Sequence, residues 1–185
     1  MGGEFIDPYI VVDIKRLPGI QEIRKTASGF SIGAGVPCAA LSRNRALVRA
    51  WPGVVEAAQL IGSDQIQGRC TIAGNLCNAS PAADAVPALV AARAKVVVVG
   101  PGGRHRVAVE KIVTGPGKTS LGKGDIVTAI VLPKRPPKSG DAYLRFIPLT
   151  EMDIAVCSAG VSLTQGPRTV VKQARVALGA VAPTV

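Results

Sequence analysis

The sequence predicts an α+β fold in which short helices accompany strands of small apolar residues. Apolar residues make up 48% of the 185-residue chain and aromatic residues only 3%, so valine, alanine, isoleucine and leucine have to build the core. Runs rich in valine favour strands. The 21 glycines and 14 prolines spread between such runs favour short elements. The length suffices for one domain with a sizeable core, or for one domain and part of another.

The first hundred residues are predicted to contain strands first, then helices, and a further strand at the end. Tyr9–Ile14 is typical of a strand because β-branched residues fill it. Pro37 marks the start of a helical segment, since proline is tolerated in a first turn, and Trp51–Gly53 opens a helix that runs to Ile61. The other elements predicted in this half are strands at Gln21–Lys25, Phe30–Val36 and Lys95–Val99 and a helix at about Ala83–Ala92.

The second half is predicted to consist mainly of strands. The turn signal Pro101–Gly103 predicts that Arg104–Val109 returns as the second arm of a hairpin. Gly115–Lys123 is typical of a loop. Asp153–Thr164 alternates for part of its length, as a half-buried antiparallel strand does. The remaining strands are predicted at Asp125–Leu132, Ala142–Pro148 and Thr169–Leu178.

The net charge of +10 makes nucleic acid one class of partner to consider. Lysine and arginine are spread along the chain, however, and the aromatic residues that stack on bases are few. A basic face for an anionic ligand or for an acidic partner subunit is therefore the favoured interpretation, and a nucleic-acid-binding module is the weaker alternative.

The cysteines and the single histidine give no sign of a metal site or of a catalytic residue. Cys38, Cys70, Cys77 and Cys157 form no Cys-x-x-Cys pair. His105 is the only histidine, which argues against Ser-His-Asp or Cys-His catalysis within this chain. No apolar run reaches the length of a membrane span, and no signal peptide is visible, so we expect a cytoplasmic location.

The stretch from Gln67 to Asp84 has the composition of a ligand-binding turn. Ala73 and Gly74 put almost no side chain in the way of a ligand, and consecutive N–H groups in such a turn can form an anion-binding nest. Thr71 and Asn75 add short hydrogen-bonding side chains. An ordinary polar turn between two elements is the alternative.

This stretch also resembles a known motif. Thr71–Asn75 (Thr-Ile-Ala-Gly-Asn), followed by Leu-Cys-Asn-Ala-Ser-Pro-Ala-Ala-Asp, resembles the second flavin-pyrophosphate motif of the FAD-binding (medium) subunit of molybdenum hydroxylases. That is the family of xanthine dehydrogenase and carbon monoxide dehydrogenase. The family form is Thr-Ile-Gly-Gly-Asn, so Ala73 replaces one glycine. Further segments that resemble the family, and that extend the likeness over most of residues 9–185, are Ile61–Ser63, Gln65–Ile66, Gly124–Val127, Met152–Ala155 and Ala177–Thr184.

The resemblance implies a fold and a division of the chain. The fold is the α+β FAD-binding fold of the vanillyl-alcohol-oxidase/PCMH-like proteins, in incomplete form. Residues 1–8 are expected to be a tag or a non-native start. Residues 9–140 are expected to be the FAD-binding domain without its first flavin motif, an Ala-Gly-Gly-Thr-Asp-like loop. Residues 141–185 are expected to begin the C-terminal domain of the flavin subunit.

The resemblance also implies an oxidoreductase subunit that transfers electrons. The partners are then a large subunit with the molybdenum cofactor and a small subunit with 2Fe-2S clusters, and FAD passes electrons from the clusters to NAD or another acceptor. The alternative is a truncated, non-catalytic fragment that folds without flavin. Apolar surface exposed in such a fragment predicts self-association. The substrate of the parent complex is not encoded here, because the family's substrate contacts belong to the molybdenum subunit.

The resemblance assigns cofactor-binding roles to individual residues. Thr71–Asn75 would line the pyrophosphate, and Asp84 would accept from a ribitol or ribose hydroxyl. Val127 would pack near the isoalloxazine. Arg145, at a position that is often lysine in the family, would place a cation where it stabilises reduced anionic flavin. The full set is Ile61, Thr71, Ile72, Ala73, Gly74, Asn75, Asp84, Val127 and Arg145, with ordinary core or surface positions as the alternative for Ile61, Val127 and Arg145.

Overall fold

The computed structural model describes residues 10–149 and 152–185 and confirms the α+β class. Short helices fill the region between the second and third strands. They are α1 Cys38–Arg43, α2 Arg45–Ala50, α3 Pro52–Gln59, α4 Asp64–Gln67, α5 Ile72–Cys77 and α6 Ala85–Ala91. The strands are β1 Ile23–Thr26, β2 Gly29–Gly33, β3 Lys95–Gly100, β4 Gly103–Ala108, β5 Val113–Gly115, β6 Lys118–Thr119, β7 Ile126–Pro133, β8 Ser139–Phe146, β9 Cys157–Gln165 and β10 Val171–Gly179.

A five-stranded antiparallel sheet, in the order β1-β2-β7-β3-β4, forms one side of the hydrophobic core. Its helix-facing side is built from β-branched and leucine side chains, among them the fully buried Val96, Ile130 and Leu132. The register of β7 against β3 shifts between Val97 and Val98. This β-bulge turns Val127 to the same buried side as Ile130, which strict alternation would not do.

A second sheet, in the order β10-β9-β8, packs against α3 and α6. Every residue of α6 is buried, as expected for a helix that is apolar on all sides and lies between two layers. The approach of α6 to β9 depends on Gly160, where an added Cβ would lie 2.4 Å from the backbone carbonyl of Pro87. Only glycine permits this contact between sheet and helix.

Local capping explains where several helices begin. The side chain of Asn44 accepts a hydrogen bond from the Leu47 N–H at 3.0 Å and so caps α2. Pro52 occupies the first turn of α3, where its missing N–H costs nothing. Pro37 precedes α1 directly, so the predicted helix start there is confirmed.

Three local predictions were wrong. Residues 10–13 of the predicted strand Tyr9–Ile14 have no regular structure, Ile14 begins a short 3-10 helix, and Tyr9 lies outside the described residues. No described strand pairs with this segment, and a strand is stable only with a hydrogen-bonded neighbour. The predicted loop Gly115–Lys123 contributes to a two-stranded ribbon of β5 and β6. The predicted ligand-binding turn contains the helix α5.

The described part of the chain carries no helix that is both long and apolar enough to cross a membrane. Within the same ranges, no three histidine, cysteine, aspartate or glutamate side chains converge on a point where a metal ion would bind.

Candidate functional site

The motif that resembles a flavin site forms the first turn of α5. Thr71 is its N-cap, and the Thr71 Oγ1 accepts a hydrogen bond from the Gly74 N–H at 2.9 Å. The first N–H groups of a helix have no acceptor within the helix. The Gly74 N–H is bound by the Thr71 side chain. The N–H groups of Ile72 and Ala73 therefore remain as the backbone donors at the start of α5. The turn therefore combines small side chains with backbone donors.

The start of α5 borders a cavity of about 290 Å³. Thr71, Ala73 and Gly74 line one side of it, and Val127 lines the other. The β-bulge in β7 makes this possible, because it brings Val127 to the helix-facing side of the sheet. Four of the predicted site residues, from segments more than 50 positions apart, thus share one cavity.

Cys77, Leu121 and Asp125 complete much of the cavity wall, and sequence reasoning missed them as site residues. Burial raises the pKa of the Cys77 thiol above its ordinary value, so the thiol is neutral and contributes an apolar surface. Asp125 accepts a hydrogen bond from the Gly122 N–H at 2.9 Å, which holds the loop before β7. Cys77 lies three residues after Gly74, a spacing that places both residues on the same side of a helix. This spacing is the one signal in the sequence that would have identified Cys77 as a cavity residue.

A second group of predicted residues forms a buried ionic cluster. Asp84 Oδ1 accepts from the Tyr143 hydroxyl at 2.8 Å, and Asp84 Oδ2 accepts from Arg145 Nη1 at 3.1 Å. The Arg145 and Asp84 side chains are 7% and 11% exposed. Arg145 Nη1 also donates to the Leu60 carbonyl oxygen at 2.8 Å. The cluster joins the start of α6 and the end of α3 to strand β8.

The charges in this cluster are set by burial and by one another. Burial raises the pKa of Asp84, while the hydrogen bond from Tyr143 and the charge of Arg145 act in the opposite direction. Burial also raises the pKa of the Tyr143 hydroxyl, and the charge of Asp84 adds to the rise. Tyr143 is therefore a neutral donor at physiological pH. Sequence reasoning missed Tyr143, although its i, i+2 spacing from Arg145 in a strand predicts a shared face.

The remaining predicted residues support the two groups. Ile72 is buried in the core and supplies no surface to the cavity. Asn75 Oδ1 accepts from the Ala85 N–H at 3.0 Å, so it caps α6 and links the motif to the ionic cluster. Ile61 is half-buried between Leu60, whose carbonyl binds Arg145, and Gly62. Leu60 and Gly62 border a separate cavity of about 450 Å³ that also contains Arg145.

A family assignment follows from sequence comparison. The profile of the family described as FAD binding domain in molybdopterin dehydrogenase matches residues 1–135. The chain belongs to this family. The prediction of an FAD-binding protein of the molybdenum hydroxylases is therefore confirmed, with FAD as the cofactor of the family.

Relatives of this FAD-binding domain agree with the assignment. The carbon monoxide dehydrogenase medium chain of Hydrogenophaga pseudoflava is 31% identical over 180 residues, which cover 97% of this chain and 62% of that protein. The xanthine dehydrogenase FAD-binding subunit of Escherichia coli O157:H7 is 30% identical over 178 residues, which cover 94% of this chain and 60% of that protein. Both are subunits of dehydrogenases, which confirms the prediction of an oxidoreductase subunit. This chain spans about three-fifths of their length.

A solved structure confirms the fold. The carbon monoxide dehydrogenase of Hydrogenophaga pseudoflava that lacks the Mo-pyranopterin moiety of its cofactor contains a chain that superimposes with a TM-score of 0.87 at 30% identity. The match covers 93% of this chain and 59% of that chain. The predicted vanillyl-alcohol-oxidase/PCMH-like FAD-binding fold is thus confirmed, over both the five-stranded and the three-stranded sheet.

Proposed function

We propose that this chain forms the flavin site of a molybdenum hydroxylase and carries electrons from iron–sulfur clusters to NAD or another acceptor. The observation that carries the proposal is the cavity shared by Thr71, Ala73, Gly74 and Val127 in a member of this family. FAD, when bound, supplies the redox chemistry, while the protein supplies position and electrostatics.

The residues present fit part of an FAD molecule. Small residues at the start of α5 leave backbone N–H groups accessible to a pyrophosphate, and Thr71 fixes the turn that presents them. The apolar side chain of Val127 suits the face of an aromatic ring. Ala73, which stands where the family pattern has glycine, is buried in the first turn of α5 and lines the cavity, so the replacement adds only a methyl group to the cavity wall.

Asp84 and Arg145 act in this proposal mainly by positioning. Because they neutralise each other at 3.1 Å, the pair presents little net charge to a ligand. It fixes the start of α6 and the end of α3 relative to β8. A carboxylate has about four lone-pair positions, so Asp84 retains the capacity to accept from a hydroxyl of the cofactor. Ile61, which follows Leu60 in the chain, would also lie close to the flavin.

The partners and the location belong to the same proposal. We expect a molybdenum-cofactor large subunit and a 2Fe-2S small subunit as partners, residues 9–140 and 141–185 as the two domains, and the cytoplasm as the location. The outer side of the five-stranded sheet carries the exposed cations Lys95, Arg104 and Arg106. Such a surface favours an acidic protein partner over a neutral one. Self-association of the chain is also expected.

The test is retention of FAD by the purified chain. After addition of FAD and desalting, the chain is expected to keep the visible absorbance of flavin, and Gly74→Val is expected to lose it. The matched control is Gly102→Val, because an added Cβ there meets nothing within 4 Å and the residue lies in a distant turn. A chain that folds, as shown by circular dichroism, but stays colourless contradicts the proposal and supports the alternative of a fragment that folds without flavin.

A further inference from the structure

A cavity of about 220 Å³ lies between the end of α6, the segment that follows β7 and the helix-facing side of the second sheet. Strand register places Ser162 opposite Arg175 and Thr164 opposite Gln173, so these four side chains share the side of the sheet that packs against α6. Trp51 contributes to the same wall. The cavity is therefore bordered by segments of the described chain that already pack on one another.

Positive charge dominates the wall of this cavity. Arg93, Lys134 and Arg175 contribute to it, and no acidic residue of the described chain does. Arg175 Nη2 lies 3.0 Å from Glu110 Oε1, so the charge of this arginine is compensated. Arg93 and Lys134 are exposed, and within the described ranges neither side chain has an ion-pair or hydrogen-bonding partner. Two positive charges therefore remain uncompensated at the cavity.

Polar groups without a partner border the same space. The side chains of Ser162, Thr164 and Gln173 make no hydrogen bond within residues 10–149 and 152–185. Each of them carries at least one donor. Asp141, which lies opposite Ser162, is bound by Arg135 at 2.5 Å and so leaves the charge balance unchanged. The cavity thus combines cations with hydrogen-bond donors that are free to bind an anion.

The backbone at Arg93 is a second, independent observation. Arg93 follows α6 with a φ of 55°, in the left-handed region that helix ends usually fill with glycine. The Arg93 N–H donates to the Val90 carbonyl oxygen at 3.0 Å, and the Ala94 N–H donates to the Leu89 carbonyl oxygen at 2.9 Å, so the turn is fixed. A side chain is strained in this region, yet here it is an arginine that lines the cavity. Strained residues of this kind concentrate at ligand-binding sites.

We propose that this cavity binds a phosphate group, either as free inorganic phosphate or as the phosphate of a nucleotide. A phosphate monoester carries a charge of about −1.5 to −2 at pH 7 and three strong acceptor oxygens. These properties match the two uncompensated cations and the hydroxyl and amide donors. Arginine also suits phosphate because its planar fork binds two oxygens at once. A carboxylate, with a single charge, would leave one of the cations unpaired.

The size of the cavity limits what it encloses. At about 220 Å³ it is smaller than the pockets of drug-sized ligands, which have roughly 300–1,000 Å³. It therefore holds the phosphate itself, and the rest of a nucleotide would lie outside. A bound phosphate would connect Arg93 after α6 with Lys134 after β7 and with the second sheet.

The phosphate cavity is separate from the candidate flavin site, so the inference goes beyond the proposed function and does not depend on it. Arg93 follows α6, whereas Asp84 precedes it, and a helix of seven residues is about 10 Å long. The expected effect of phosphate is on the packing of the second sheet against α6, which contributes to the stability of the whole chain.

The first measurement is thermal unfolding of the chain without FAD, in a titration with inorganic phosphate at constant ionic strength. The midpoint is expected to rise and then to level off at saturation, because a ligand that binds only the folded state stabilises it. Acetate at the same ionic strength is expected to have little effect. Adenosine monophosphate distinguishes the two sources, since an affinity equal to that of phosphate identifies free phosphate and a higher one identifies a nucleotide.

Substitutions separate binding from folding. Arg93→Gly removes one cation and relieves the left-handed backbone, so stability without phosphate is expected to stay the same or rise, while the affinity for phosphate falls at least about tenfold. Arg168→Gly is the matched control, because Arg168 has a φ of 53° in a turn outside the cavity. Lys134→Gln is expected to weaken binding to a similar extent, whereas Lys118→Gln, at an exposed position of β6, is not.

Three results would overturn this inference. The first is a midpoint that does not respond to phosphate, or that acetate shifts equally. The second is an unchanged phosphate response in both Arg93→Gly and Lys134→Gln. The third is loss of flavin retention in Arg93→Gly, which would assign the cavity to the flavin site. Gly74→Val is expected to lose flavin and to keep its phosphate response, so a failure of the proposed function is distinguished from a failure of this inference.

Discussion

Removal of one oxygen atom, in Tyr143→Phe, tests the buried cluster that joins α6 and α3 to β8. The hydroxyl donates to Asp84 Oδ1 at 2.8 Å, and the Asp84 side chain is 11% exposed, so water does not replace the lost donor easily. A hydrogen bond to a charged group contributes about 1.5–3 kcal/mol. We expect the free energy of unfolding at neutral pH to fall by about that amount, and the pKa of Asp84 to rise further because its carboxylate loses a donor.

The pH dependence of the effect has a definite sign. Burial already raises the pKa of Asp84 in the folded chain, so stability associated with this group is greatest when it is protonated and declines as the pH rises through the folded pKa. The Tyr143 hydroxyl opposes that decline because it stabilises the carboxylate. The difference between wild type and Tyr143→Phe should therefore be largest at neutral pH and shrink as the pH falls and Asp84 becomes protonated.

Urea denaturation followed by the fluorescence of Trp51 measures this difference. Trp51 is the only tryptophan and is 3% exposed, so its emission reports unfolding of the core. The midpoint should move without a change of slope, which indicates a change of stability alone. An equal loss of stability at neutral and mildly acidic pH would refute the assignment to the carboxylate, and no loss at either pH would refute the cluster.

Three other substitutions have expected outcomes. Asp141→Ala leaves Arg135 without its carboxylate partner in a pair whose aspartate side chain is 4% exposed, and should lower the free energy of unfolding by about 3 kcal/mol in urea denaturation. Gly160→Ala places a Cβ 2.4 Å from the backbone of Pro87 and should cost about 1–3 kcal/mol, measured by thermal unfolding. Thr71→Ala removes the cap of α5 and should cost about 1 kcal/mol and weaken FAD retention, whereas Thr71→Ser should preserve both.

Apolar patterning predicted most of the strands and helices but not how they pair. Lys95–Val99 and Arg104–Val109 were predicted as a hairpin, and the structure pairs β3 with β4 as expected. The prediction of a strand at Tyr9–Ile14 was wrong because it was based on the strand propensity of the residues alone. A strand also needs a hydrogen-bonded neighbour, and no local pattern specifies that neighbour. The short helix α5 was missed since a six-residue helix with a glycine has little intrinsic helical signal.

The candidate site depended on features that a sequence does not display. Val127 lines the cavity only because a bulge at Thr128 interrupts the alternation set by Ile130 and Leu132. Such a bulge arises from the pairing of β7 with its neighbours, which is a long-range property. The family resemblance identified Asp84 and Arg145 as site residues. It did not predict that they contact each other across 61 positions, because this contact depends on the packing of β8 against α6.

The same contacts couple the candidate site to the second sheet. Asn75 in α5 caps α6 through the Ala85 N–H at 3.0 Å, and Asp84, the preceding residue, is bound by Tyr143 and Arg145 of β8. A ligand that orders α5 therefore also favours the conformation that holds β8. At a concentration 100 times its dissociation constant, a ligand stabilises the folded state by about 2.7 kcal/mol.

Hydrogen exchange tests how far that stabilisation spreads. FAD should slow amide exchange both in α5 and in β8 of the wild-type chain. In Asn75→Ala, which lacks the acceptor for the Ala85 N–H, protection should remain near α5 and decrease in β8. Asn78→Ala is the matched control, because Asn78 is exposed at the other end of the helix. Equal protection of β8 in wild type and Asn75→Ala would mean that the sheet and the site are stabilised separately, and that the shared capping residue transmits nothing.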